Sequence, residues 1–129
     1  MKWKKNSLIL ILLISLFLTV CDSQKNMYVD AYKEWKKKNY EAAMMKFQNL
    51  VYKNKNSKYA PKAQFFMGNI NNYNFNRYEN AVIEYQKAIV LADGKGEFAY
   101  RSQKAIAEIY HKHFRNYERA IFEYKELFD

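Results

Sequence analysis

Cysteine, proline, glycine and histidine are scarce in this 129-residue chain, which holds one Cys, one Pro, three Gly and two His. Each scarcity removes a class of chemistry. The lone Cys21 builds no disulfide framework, and no His stands near it in the sequence to activate it as a nucleophile. So few glycines exclude a Gly-rich loop that cradles phosphate and leave little material for strained catalytic turns. His111 and His113 stand at i and i+2, which on a helix points them to different faces, poor geometry for a shared metal. Glu108 and His111, at i and i+3, are expected to meet as a surface pair. No His-Glu-x-x-His pair and no Cys cluster occurs. The expectation is a protein that is not an enzyme and takes no cofactor or metal.

Aromatic residues, by contrast, make up 18% of the chain, twelve of them Tyr, and they recur in order. One pattern returns three times: Tyr40-Glu41-x-Ala43-x3-Phe47-x2-Leu50, Tyr78-Glu79-x-Ala81-x3-Tyr85-x2-Ala88 and Tyr117-Glu118-x-Ala120-x3-Tyr124-x2-Leu127. The small residues Ala43, Ala81 and Ala120 are 38 and then 39 positions apart. Self-similarity with a period of about 20 to 50 residues marks a solenoid, whose unit cannot bury its apolar face alone and stacks on copies of itself. In the second copy Ala81, Tyr85, Ala88 and Ala92 fall at i, i+4, i+7 and i+11, one face of a helix alternating small and aromatic side chains. A second helical stretch precedes each copy, with its own small residue at Ala31, Gly68 and Ala107, which lies 12, 13 and 13 positions before the downstream Ala. Each unit therefore reads as helix A, tight turn, helix B. The turns fall at Lys38-Asn39, Asn74 to Arg77 and Arg115-Asn116, residue types that suit a helix C-cap meeting an N-cap. Glu41, Glu79 and Glu118 sit where the N-terminal dipole of helix B favours a carboxylate. The predicted fold is all-α, an α-solenoid of three antiparallel helix pairs with repeats over about 28–56, 59–93 and 97–129.

The units resemble the tetratricopeptide repeat. Met67-Gly68 stands in the place of that family's Leu-Gly pair, Ala107 and Tyr110 match the small residue and Tyr in the third copy, and Pro61 opens helix A of the second. The period exceeds the roughly 34 residues of the standard repeat, so helices or loops are longer. The stretch Asn56 to Gly68 is similar to the inter-repeat segment of bacterial envelope proteins with such longer repeats, the BamD-like outer-membrane assembly lipoproteins and the YbgF-type periplasmic proteins. The resemblance covers the chain from about Tyr28 onward. It implies a non-enzymatic protein–protein interaction scaffold, with helices A forming a concave wall that binds peptides. Projected on that wall are Tyr28, Tyr32, Trp35 and Lys36 from the first repeat and Lys62, Phe65, Asn69, Asn72 and Tyr73 from the second; the third adds Arg101, Lys104, Glu108, His111 and Lys112. Aromatic anchors and amide side chains suit an extended or helical peptide. The Lys-then-Asn clamp that some members use for a terminal carboxylate is not reproduced, because Phe65 precedes Asn69 and Lys104 precedes Glu108.

Ahead of the repeats, Lys2, Lys4 and Lys5 precede Leu8 to Val20, 13 residues of which all but Ser15 and Thr19 are strongly apolar. That run is too short for a comfortable span and fits the apolar region of a signal peptide. Residues 1–21 are read as that segment and 22–27 as a short tether. Leu18-Thr19-Val20-Cys21 resembles the lipobox of bacterial lipoproteins, which implies a lipidated Cys21. Val20 departs from the small residue usual before the Cys, so cleavage after Ser23 or an uncleaved anchor stand as alternatives. The expected location is the cell envelope, as a membrane-anchored lipoprotein facing the periplasm or as a soluble periplasmic adaptor.

Charge completes the reading. The formal net is +9, yet residues 63–129 hold nine basic and nine acidic side chains while residues 22–62 hold ten and four. This basic first repeat is read as a solvated Lys-rich face, with an acidic partner or anionic lipid as the functional alternative. No nucleic-acid reading motif is present. The sequence stops at Leu127-Phe128-Asp129 inside the third helix B, whose apolar stripe is expected to need a partner or further repeats.

Overall fold

The computed structural model describes the backbone of residues 2–128 and the side chains of residues 6–15 and 23–128. The side chains of Val20, Cys21 and Asp129 lie outside the described residues, Cys21 being the expected lipidation site. Among the described residues the chain is all-helical, without strands. Helix α1 spans Lys2–Lys36, α2 Tyr40–Lys53, α3 Ala60–Asn69, α4 Tyr78–Leu91, α5 Gly96–Lys112 and α6 Tyr117–Lys125, and a π-helical segment, Ile70–Asn74, extends α3. Each helix packs on its chain neighbours, and α3 also packs on α5.

No Gly or Pro interrupts Lys2–Lys36, and α1 runs through these residues without a break. Residues 22–27, expected as a tether, are therefore helical, and their far end is held to the chain just after α2. Gln24 Nε2 donates to Asn54 Oδ1 at 3.4 Å, and Asn54 Nδ2 lies 3.7 Å from Met27 Sδ. Leu8 to Ile14 are 52–65% exposed on the other part of α1. Among the described residues no helix is long and apolar enough to cross a membrane.

The three turns from helix A to helix B share one backbone form. Lys38, Asn76 and Arg115 sit at φ of 64°, 53° and 53°. They follow the same 38 and 39 spacing as the small residues of helix B. The first turn is a Schellman motif, with Asn39 N–H donating to Glu34 O and Lys38 N–H to Trp35 O, both at 3.0 Å. The second and third are one residue wider. Phe75 and Phe114 donate five residues back, to Ile70 O and Ile109 O, at 3.0 and 3.2 Å. Arg77 and Asn116 donate six back, to Asn71 O and Tyr110 O, at 2.8 and 2.9 Å. A π-type turn is what one inserted residue makes in an α-helix. It accounts for the small-residue offset of 12 in the first repeat and 13 in the others.

The small residues Ala31, Ala43, Gly68, Ala81, Ala88, Ala107 and Ala120 are all buried, as are the aromatics Phe47 and Tyr85. Tyr110 and Tyr124 are half-buried, and Ile121 and Phe122 are exposed on α6, on which no further helix packs among the described residues. Two side-chain links repeat as well. Gln64 Nε2 donates to Glu84 Oε2, and 39 residues on Gln103 Nε2 donates to Glu123 Oε2 at 2.6 Å and to Glu123 O at 3.0 Å. In the first repeat Lys46 takes the place of the Glu and pairs with Glu34 at 3.6 Å.

A close backbone-to-ring contact joins α3 to α4. A Cβ placed on Gly68 would lie 2.5 Å from Tyr85 Cε1 and 2.6 Å from Cδ1, so the ring occupies the space of the missing side chain. Gly68→Ala at an open helix position would stabilise by about 1 kcal/mol through propensity. Here overpacking against a fully buried ring, at roughly 1 to 3 kcal/mol, should outweigh that gain. Urea denaturation should show a lower midpoint for Gly68→Ala; an unchanged or higher midpoint would mean that the ring yields freely.

Candidate interaction groove

Helices α1, α3 and α5 each turn one face to a common hollow of about 620 Å³. Tyr28, Tyr32 and Trp35 come from α1, Lys62, Phe66 and Asn69 from α3, and Glu97, Phe98 and Arg101 from α5. A second hollow of about 250 Å³ adjoins it, walled by Phe65, Tyr73, Tyr100, Lys104, Ala105 and Glu108, and Asn69 and Arg101 belong to both. A third, of about 390 Å³, lies at the turn between α4 and α5 beside Glu126 and Leu127 and gathers no cation.

The floor of the larger hollow is aromatic. Tyr32 and Trp35 meet at 5.3 Å between ring centroids, and both meet Phe66 edge-on, at 5.4 and 5.3 Å. Tyr28 lies under them, 6.0 Å from Tyr32 and 6.2 Å from Phe66. Rings at these separations attract beyond their buried area, which holds the floor as a unit. Cations stand over it. Lys62 Nζ is 4.5 Å from the Tyr28 centroid, Arg101 Cζ is 4.6 Å from that of Phe65, and both are 5.7 Å from that of Phe98. Lys36 Nζ lies 5.4 Å from Trp35 and 5.5 Å from Tyr32. Such positions use the ring quadrupole to hold a charge that is partly removed from water.

Asn69, at the junction of the two hollows, is held from below. The Tyr85 hydroxyl donates to Asn69 Oδ1 at 2.7 Å. This leaves the Asn69 amide NH2 without a partner among the described residues. Burial pushes the Tyr85 hydroxyl well above the usual tyrosine range, opposed in part by a hydrogen bond from Asn72. Tyr28 is pushed up in the same way by burial and by Tyr32, with Arg101 acting in the opposite direction.

Of the wall residues expected from the sequence, Tyr32, Trp35, Lys62, Asn69 and Arg101 meet in the larger hollow, and Tyr73 and Lys104 join the adjoining one. Phe65 is only 4% exposed and serves as a floor ring under Arg101 instead of an open anchor. Asn72 is buried in the π-helical segment, because a 3.6-residue projection no longer gives the facing once the helix widens. His111 is exposed and lies edge-on to Tyr117, with ring centroids 5.7 Å apart, and lines neither hollow. Glu108 pairs with Lys112 at 3.3 Å, not with His111. His113 stacks on Tyr78 at 3.7 Å, joining the end of α5 to the start of α4. Among the described residues no three His, Cys, Asp or Glu gather as a metal-binding group. Phe66 and Phe98 were not anticipated, although Phe66 follows Lys62 by four and Phe98 precedes Arg101 by three, which puts each on its cation's helix face.

Set against models of known families, curated proteins and solved structures, the chain finds no match.

The raised tyrosines give the fold a pH dependence. Where the folded state keeps a proton that the unfolded state has released, stability falls as pH rises. Loss should therefore begin above pH 10, the ordinary tyrosine value, and continue upward. Stability measured by urea between pH 9 and 12 should fall more steeply in the parent chain than in Tyr85→Phe. Equal slopes would mean that the Tyr85 hydroxyl ionises without unfolding.

Proposed function

We propose that this chain is a tetratricopeptide-like interaction module of the bacterial cell envelope, a non-enzymatic scaffold that grips a peptide segment of a partner protein. The observation that carries the reading is the convergence of three helices A, from three sequence repeats, on one groove with an aromatic floor and cations at its rim. Aromatic anchors set in a concave wall are what peptide recognition uses for affinity, and fixed amides such as Asn69 hold backbone. Membrane attachment through a lipidated Cys21 completes the proposal, resting on the basic start, the 13-residue apolar run and the lipobox-like end. Val20 supports a second reading, a soluble periplasmic adaptor, because a β-branched residue fits poorly in a peptidase pocket made for a small one.

Photo-crosslinking in living cells tests the groove. A benzophenone amino acid at Tyr32 or Tyr73 should give a discrete protein adduct, and one at the outward-facing Tyr52, 86% exposed, should not. Adducts equal at all three positions, or none from the groove, would remove the binding role. Mass spectrometry of the same purified chain reads the anchor. An acylated N-terminus at Cys21 is expected, and an unmodified start at Gln24 would leave the soluble reading.

A further inference from the structure

The charge balance of the groove identifies the chemistry of its occupant. Lys62 and Arg101 are 39 residues apart and hold the same place on helices A of the second and third repeats. Both converge on the Phe98 ring at 5.7 Å. Two like charges held over one ring, each with an aromatic surface in place of part of its water, repel one another unless an anion joins them. The protein supplies little of that anion. Arg101 has one carboxylate partner, Glu97, at 3.0 Å through a single guanidinium nitrogen, in a pair exposed on both sides. The other lining carboxylate, Glu108, is turned to Lys112 outside the groove. Lys62 and, further along, Lys104 have no carboxylate partner among the described residues.

We infer that the groove takes an acidic peptide segment, in which one carboxylate bridges Lys62 and Arg101 while a neighbouring apolar side chain settles on Trp35 and Phe66. This rests on the reading of the groove as a peptide site and adds the class of peptide. A carboxylate reaching two cations already stripped of part of their water gains more than one meeting a solvated lysine. Lys62 and Arg101 both line one hollow of about 620 Å³, and a concave site favours an inserted side chain over a flat lipid surface.

The test is selection of a random displayed peptide library against the full chain in a non-ionic detergent. The retained sequences should carry Asp or Glu beside an aromatic or aliphatic residue. A synthetic peptide from that pool should bind about tenfold or more tightly than its Asn/Gln counterpart, and lose a similar factor in Lys62→Gln and in Arg101→Gln. Lys62→Arg should retain most of the binding, and Lys55→Gln, at an exposed site away from the groove, all of it. Unchanged helical circular dichroism in each variant keeps a folding defect apart from a lost contact. Retained sequences that are neutral or basic, or amide counterparts that bind equally well, overturn the inference while the crosslinking result can still uphold a peptide site. A library that returns nothing overturns it as well. If the same two substitutions then weaken binding to phosphatidylglycerol vesicles, the cations serve a membrane surface.

Discussion

The Tyr85 ring lying on the bare backbone of Gly68 is the contact on which the rest of the structure depends. It lets α4 approach α3 closely, and it sets the height at which the Tyr85 hydroxyl meets Asn69. Asn69 in turn separates the two hollows of the groove. The same ring packs with Phe65, 5.6 Å away, which carries Arg101 above it. A single small-and-aromatic pair thus connects the repeat interior to the rim where cations are displayed. Any larger residue at Gly68 would push Tyr85 outward and disturb the amide and the guanidinium together.

The groove then follows from stacking. Helices α1, α3 and α5 line one hollow and α3 packs on α5, which places equivalent positions of α3 and α5 side by side. Lys62 and Arg101 become neighbours for that reason, although they are 39 residues apart. The aromatic floor gives Lys62 a place to lie without a carboxylate and leaves Arg101 with Glu97 alone, and so the wall keeps a positive excess that a more solvated surface would neutralise by mobile ions.

Much of this was legible in the sequence, and the failures have identifiable physical causes. The period, the helix pairs, the turn positions and the buried small residues all depend on local spacing, which a helix converts directly into a face. The wall was mostly legible too, because Tyr32, Trp35, Lys62, Asn69 and Arg101 sit on unbroken α-helix. Asn72 and His111 were misplaced where spacing stops being a guide, within the π-helical segment and at the equivalent wide end of α5. The offset of 13 where the first repeat has 12 was the visible trace of that inserted residue. The paired Gln64–Glu84 and Gln103–Glu123 links also repeat in the sequence, with Gln64 and Glu123 buried, but the sequence pattern does not distinguish buried polar residues from solvated ones. The continuity of α1 through 22–27 was hidden because nothing in the composition of those residues distinguishes a tether from helix.

The central claim, that the Gly68–Tyr85 contact fixes the stack, is tested most directly by a double-mutant cycle on the two residues. The account predicts that Gly68→Ala, costly in the parent, becomes neutral or stabilising in a Tyr85→Leu background, giving a coupling of about 1 to 3 kcal/mol between the sites. The same cost for Gly68→Ala in both backgrounds would contradict it, and would place the limit on α3–α4 approach somewhere other than this ring.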